Sequence, residues 1–231
     1  MIYQVDELKA VIFDLDGTLV KTSLDFWGMK EAVIEYLVNL GLNNSSLNTT
    51  QTTNELIQKG IAFLKTKGAS KTEIRGILTE ISEIMNQFEL DGVEHTVVIR
   101  DAQNVLNRLK HQGFKIGVLT RSCEAYAIKA LELCKIREFV EVIGVRTDPR
   151  KAKPNPEAAL QVCASLGVEP HEAILIGDHP MDLKCAKDAG MDFIGILGGA
   201  SSEETLKKAG TVHIAKNLTD VEKMLDSTAS D

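Results

Sequence analysis

Five short apolar runs, rich in β-branched residues, punctuate this chain at residues 10–13, 114–119, 139–145, 173–176 and 193–197. Each is too short for a buried helix and is bounded by Asp, Gly or Thr, which predicts buried strands. Helix-period segments separate the later runs, over residues 102–112, 122–134, 156–166 and 180–189. Asp101 precedes the first of these helices, Asn155-Pro156 opens the third, and Gly113, Gly167 and Gly190 close three of them. The alternation predicts an α/β fold, a Rossmann-like parallel sheet with helices on both faces.

The rhythm breaks once. Between residues 24 and 90 there is no strand candidate, only three helical patterns at 27–40, 53–67 and 71–90. In the last, Ile74, Ile77, Leu78, Ile81, Ile84, Met85 and Phe88 recur at spacings of three and four, one apolar stripe. A polar Asn/Ser/Thr-rich loop, residues 42–54, joins the first two. The reading is an inserted α-helical cap domain, residues 21–95, within a catalytic core made of residues 1–20 and 96–231. From Val20 to His95 there are seven basic against ten acidic side chains, so no basic patch for a polyanion is expected there. The last residues, 227–231, are expected to fray.

Composition narrows the function classes. With 231 residues, 44% hydrophobic and 26% charged, the chain suits a soluble globular protein with an ample core. No apolar stretch approaches the ~20 residues needed to span a bilayer, and the N-terminus lacks a signal-peptide layout. The four cysteines show no CxxC spacing and the five histidines are scattered, which argues against a disulfide framework or a structural zinc site. A cytoplasmic location is the expectation. A net charge of −7 without a basic block argues against nucleic acid, and nothing points to a membrane partner.

The chemistry gathers where the strands end. The first run leads straight into Asp14-Leu15-Asp16-Gly17-Thr18. Two carboxylates at that spacing repel on one strand face, but a turn at Gly17 brings both toward one point, where a divalent cation is the usual counter-charge. A plain strand-ending turn with capping hydroxyls uses the same residue types. The second run ends in Thr120-Arg121-Ser122, a hydroxyl followed by helix-start amides suited to an anion, or simply an N-cap. The fourth ends in Gly177-Asp178-His179-Pro180-Met181-Asp182, in which Asp182 could equally be an acid favoured by the helix dipole. In Lys151-Ala152-Lys153-Pro154-Asn155-Pro156, the prolines give Lys153 a defined direction toward a phosphoryl oxygen, whereas Lys151 fits a solvated turn. His179 reads as a solvent-facing loop residue, Cys123 as packing, and Trp27, Tyr36 and Phe63 as core of the insert.

In order, these residues resemble the motifs of the haloacid dehalogenase (HAD) superfamily of aspartate-nucleophile phosphatases. Asp14, Asp16, Gly17 and Thr18 match its DxDGT, Thr120 its strand-ending Ser/Thr, Lys153 its K-P-x-P lysine, and Gly177, Asp178 and Asp182 its GDxxxD. Leu119-Thr120-Arg121 looks like the phosphoglycolate phosphatase-like branch, and the insert matches the family's cap between the first two motifs. The stretch from His95 to Asp101 departs from many relatives in lacking Pro-Gly. The resemblance implies that Asp14 is the nucleophile and Asp16 the general acid and base. It implies Mg²⁺ held by the Asp14 carboxylate, the Asp16 backbone carbonyl and Asp178, with Asp182 orienting the metal shell or Lys153. Thr120, Arg121 and Lys153 would bind the substrate phosphate. The expected activity is Mg²⁺-dependent hydrolysis of a small phosphorylated metabolite, phosphoglycolate first, through an aspartyl-phosphate. A sugar-phosphate phosphomutase and a catalytically silent binding module on the same fold are the alternatives.

Overall fold

The computed structural model describes residues 7–226. The tail expected to fray, residues 227–231, lies outside them. Its first strand, β1 (Ala10–Phe13), is buried along its whole length. Alternation sends its side chains to two different cores. Val11 and Phe13 join a cluster with Val105, Leu109, Tyr126 and Val221, while Ala10 and Ile12 join Val162, Cys163, Cys185 and Ala186 on the opposite face.

Around β1 a six-stranded parallel sheet forms in the order β5-β4-β1-β6-β7-β8. The added strands are β4 (Lys115–Leu119), β5 (Val142–Gly144), β6 (Ala173–Gly177), β7 (Asp192–Ile196) and β8 (His213–Ala215). The helices α4 (Ala102–His111), α5 (Glu124–Leu133) and α9 (Leu218–Asp226) supply the first core, and α6 (Pro156–Leu166) and α7 (Pro180–Ala189) the second. A short helix, α8 (Glu203–Ala209), precedes β8. β1 pairs with β4 on one side and β6 on the other, with Ala10 opposite both Lys115 and Ala173. The chain therefore reverses its winding about β1, and the carboxyl ends of β1, β4 and β6 open side by side, where ligands bind in such sheets. This is the expected α/β architecture. The expected strand over residues 139–145 is shorter: residues 137–139 form a 3₁₀ turn and only β5 pairs with β4.

The helical insert contains α1 (Phe26–Asn39), α2 (Thr53–Thr66) and α3 (Lys71–Gly92), which pack on one another through a third core. Of the predicted stripe on α3, Ile74, Leu78, Ile81 and Met85 are buried and Ile77, Ile84 and Phe88 pack at its edge. Full capping boxes, Thr52 with Glu55 and Ser70 with Glu73, start α2 and α3. The chain enters and leaves the insert through a short antiparallel pair, β2 (Val20–Lys21) and β3 (Val97–Val98). Trp27 was expected in the insert's core but is 59% exposed; it sits in the first turn of α1, its indole donating to Glu31 one turn on. Among the described residues no helix is long and apolar enough to cross a membrane.

Candidate active site

Asp14 is the first residue beyond β1, and its backbone N–H still bonds Ile176 O at 2.8 Å. The chain then folds back on itself. Leu19 and Val20 both donate to Leu15 O, and Gly17 donates to Val20 O at 2.8 Å. Gly17 holds φ at +92°, and a Cβ there would stand 2.5 Å from Asp178 Oδ2, so the turn requires glycine on both counts. A Cβ on Gly199 would come still closer to the same carboxylate, and Ala200 N–H donates to Asp178 Oδ2. Asp178 is thus clasped between the turn after β1 and the loop after β7.

Lys153 completes this cluster. Only 2% exposed, its Nζ lies 2.5 Å from Asp14 Oδ1 and 2.7 Å from Asp182 Oδ1. Lys151 pairs with Glu157 at the surface, which separates the two lysines as the sequence suggests. Asp182 also closes the start of α7: its Oδ2 accepts from His179 N–H at 3.1 Å, while His179 Nδ1 accepts from Met181 N–H at 3.1 Å. His179 is therefore a half-buried helix cap, not a solvated loop side chain. Thr120 follows β4, bonded through its backbone N–H to Gly144 O at 2.9 Å, and its hydroxyl accepts from Ser122 N–H at 3.1 Å.

Carboxylate oxygens of Asp14, Asp178 and Asp182 lie within 4.8 Å of one another. Three buried acids against one lysine leave surplus negative charge. Burial, then the neighbouring acids, raise the Asp14 carboxyl well above its ordinary range despite Lys153. Burial likewise raises Asp178, opposed by the Ala200 amide. Burial pushes the Lys153 ammonium down, but Asp14 and Asp182 more than reverse this and keep it protonated. A hard divalent cation is what such an oxygen-rich, charge-unbalanced pocket fits.

Asp16 stands apart from that cluster. Tyr126 Oη donates to its Oδ1 at 2.5 Å and Ser122 Oγ to its Oδ2 at 3.2 Å. Burial raises its carboxyl to about 6, a rise that these two hydrogen bonds oppose. An acid poised near neutrality can both give and take a proton.

The sequence reading missed a second buried network beside this one. Glu89 of α3 and Arg146, after β5, form an ion pair at 2.7 Å with side chains 4% and 1% exposed. Glu89 also accepts from Cys123 N–H at 2.8 Å, while Arg146 donates to Arg121 O at 2.8 Å and Asn86 Oδ1 at 3.1 Å. The Arg146 backbone N–H adds a bond to Ser122 O at 3.0 Å. The insert is thereby fastened to the loop that carries Thr120. Cys123, its amide engaged, has a thiol raised by burial, as packing predicts. A signal for Glu89 existed: it falls four residues after Met85, on the apolar stripe. Arg146 sits in an irregular loop and gave none.

Cavities adjoin these elements. One of about 490 Å³ reaches Gly17 but none of the acids. Another of about 350 Å³ gathers Lys65, Lys71 and Arg75 of the insert with Arg150, although no basic patch was expected in the insert.

The sequence model of the haloacid dehalogenase-like hydrolases matches residues 11–196. The chain is 25% identical over 218 residues to the pyrophosphatase PpaX of Bacillus pumilus, covering 93% of this chain and 94% of that one. It is 29% identical over 199 residues to a phosphoglycolate phosphatase of Pseudomonas putida, covering 83% and 70% respectively. Among solved structures, a hydrolase from Pseudomonas syringae superposes with a TM-score of 0.66 at 19% identity, over 95% of this chain and 98% of that one. That last likeness concerns the fold alone.

Proposed function

Because this chain belongs to the haloacid dehalogenase-like hydrolases, a family model matching residues 11–196, we propose that it is a Mg²⁺-dependent phosphatase acting on a small phosphorylated metabolite through an aspartyl-phosphate. The observation that carries the reading is the buried grouping of Asp14, Asp178 and Asp182 around Lys153 at the carboxyl edge of the sheet.

Asp14 attacks the phosphorus, and Asp16 protonates the departing oxygen and then deprotonates the water that releases phosphate. Mg²⁺ would be held by the Asp14 and Asp178 carboxylates and the Asp16 carbonyl; when bound it offsets repulsion between nucleophile and phosphate. Asp182 fixes Lys153 through the contact at 2.7 Å. Thr120 and Lys153 hold the transferring phosphoryl oxygens, and Arg121 adds a third cationic or polar contact to the substrate. The helical insert acts as a cap over this edge, residues 21–95, and excludes water from the intermediate.

The named relatives support the class: pyrophosphatase and phosphoglycolate phosphatase both act on small phosphorylated compounds. Phosphoglycolate is the first substrate to try. Four buried, unpaired thiols suit a reducing cytoplasm. The test is phosphate release from a panel of phosphometabolites with Mg²⁺ and with a chelator. Metal-dependent release of phosphate is expected; an isomeric sugar phosphate would indicate a mutase, and no turnover of any substrate would leave the silent-module reading.

A further inference from the structure

Cations withdrawn from solvent are normally paired, and of the three beside this site the two fully buried ones are. Lys153 has Asp14 and Asp182, and Arg146 has Glu89. Arg121 is the exception: it forms no ion pair among the described residues. Its Nε is buried without an acceptor, and its Nη1 meets only Met181 Sδ at 3.3 Å, a weak partner. Leaving a guanidinium so placed is unfavourable unless something anionic arrives.

The backbone that carries this side chain is held in place. Arg146 bonds the Arg121 carbonyl at 2.8 Å and Glu89 bonds the Cys123 amide at 2.8 Å, so the backbone is gripped on both sides of Ser122. Burial and then Arg146 disfavour the charge of this guanidinium, while the Asp182, Asp14 and Glu89 carboxylates favour it, so it stands beside the acid cluster. Depth separates it from the other phosphate contacts. Thr120 and Lys153 are each only 2% exposed, whereas Arg121 is half-buried. In-line attack by Asp14 sends the leaving group away from that carboxylate, toward the less buried side of the site.

Building on the phosphatase reading above, we infer that Arg121 receives a second anionic group on the leaving-group side of the substrate, a carboxylate or a second phosphoryl. The unpartnered Nε and a neighbouring Nη form the planar fork that binds either group in bidentate fashion, which a lysine cannot do. The enzyme would then select phosphate compounds whose leaving group is itself charged over esters with neutral leaving groups.

The experiment measures kcat/KM for phosphoglycolate, pyrophosphate and ethyl phosphate at fixed Mg²⁺, in the wild type and in Arg121→Gln and Arg121→Lys. Phosphoglycolate reports on a carboxylate and pyrophosphate on a second phosphoryl. For whichever the wild type prefers, Arg121→Gln should lose at least about 30-fold more kcat/KM than for ethyl phosphate, mostly through KM. Arg121→Lys should recover only part of that selectivity, and it carries the same comparison if the glutamine variant does not fold. Equal losses on all three substrates, or no loss, would overturn the inference while leaving the phosphatase reading standing. So would a wild type that prefers ethyl phosphate. A wild type that turns over no phosphate compound overturns both.

Discussion

Replacing Glu89 by leucine should destabilise the protein far more than a single surface-to-core exchange on a helix would suggest. Glu89 belongs to α3, yet both of its partners, Arg146 Nη2 at 2.7 Å and Cys123 N–H at 2.8 Å, belong to the sheet domain. Removing the carboxylate strands a guanidinium that is 1% exposed, with only Asn86 Oδ1 at 3.1 Å and the Arg121 carbonyl left to it. Breaking a buried pair by deleting one partner is worth about 3–5 kcal/mol. For a chain of this size that corresponds to a fall in Tm of roughly 6–20 °C, at about 2–4 °C per kcal/mol. The double variant Glu89→Leu/Arg146→Met removes both charges and should recover part of the loss, with a coupling energy of about 2 kcal/mol or more. Urea unfolding of the wild type, both single variants and the double variant, followed by circular dichroism, gives the full cycle. Single variants that each lose less than about 1 kcal/mol, or losses that simply add, would refute the claim that this pair fastens the insert to the phosphate-site loop.

Gly17→Ala should abolish activity and lower stability, because φ is +92° and the new methyl would meet Asp178 Oδ2 at 2.5 Å; a folded variant with wild-type kcat/KM would contradict the crowding. For Asp16, whose carboxyl is raised by burial from 3.8 to about 6, the metal-free fold gains stability from protonation. That contribution is complete below the unfolded value and is lost as pH rises through about 6. Asp16→Asn should therefore gain stability relative to wild type between pH 4 and 7, by on the order of 2 kcal/mol after allowance for partial exposure, read from unfolding across that range. The same variant should slow the pre-steady-state burst most for esters with poor leaving groups and least for an activated aryl phosphate. Equal burst losses would remove Asp16 from the acid role.

What could be read from the sequence is what local pattern encodes. β1 is a run of four buried residues ending abruptly in a carboxylate, β6 ends likewise at Asp178 and β4 in the hydroxyl of Thr120, so strands and site were legible together. The order of strands about β1 depends on which strands pair, which no local pattern shows. β8 was missed because its three residues, His213 to Ala215, carry no long apolar run. β2 and β3 have two residues each, with Lys21, Val97 and Val98 exposed, and exist only because the two ends of the insert meet. Contacts between distant elements were illegible for a different reason. Tyr126 reads as one more apolar position on α5, and nothing local reveals that its hydroxyl reaches Asp16 across 110 positions of sequence. Asp101 does stand at the start of α4, as read, with its carbonyl accepting from Val105 N–H at 2.9 Å, but it takes φ +67° and makes no side-chain cap.

The central claim is that Asp14 carries the phosphoryl group, and chemical trapping tests it most directly. The enzyme would be quenched during turnover with substrate and Mg²⁺, then treated with borohydride, which reduces an acyl phosphate to the alcohol. Peptide mass spectrometry would then locate the reduced residue. Reduction confined to Asp14, dependent on substrate and absent in Asp14→Asn, is the expected result. Phosphate release at an undiminished rate from Asp14→Asn, or reduction at any other carboxylate, would contradict the account.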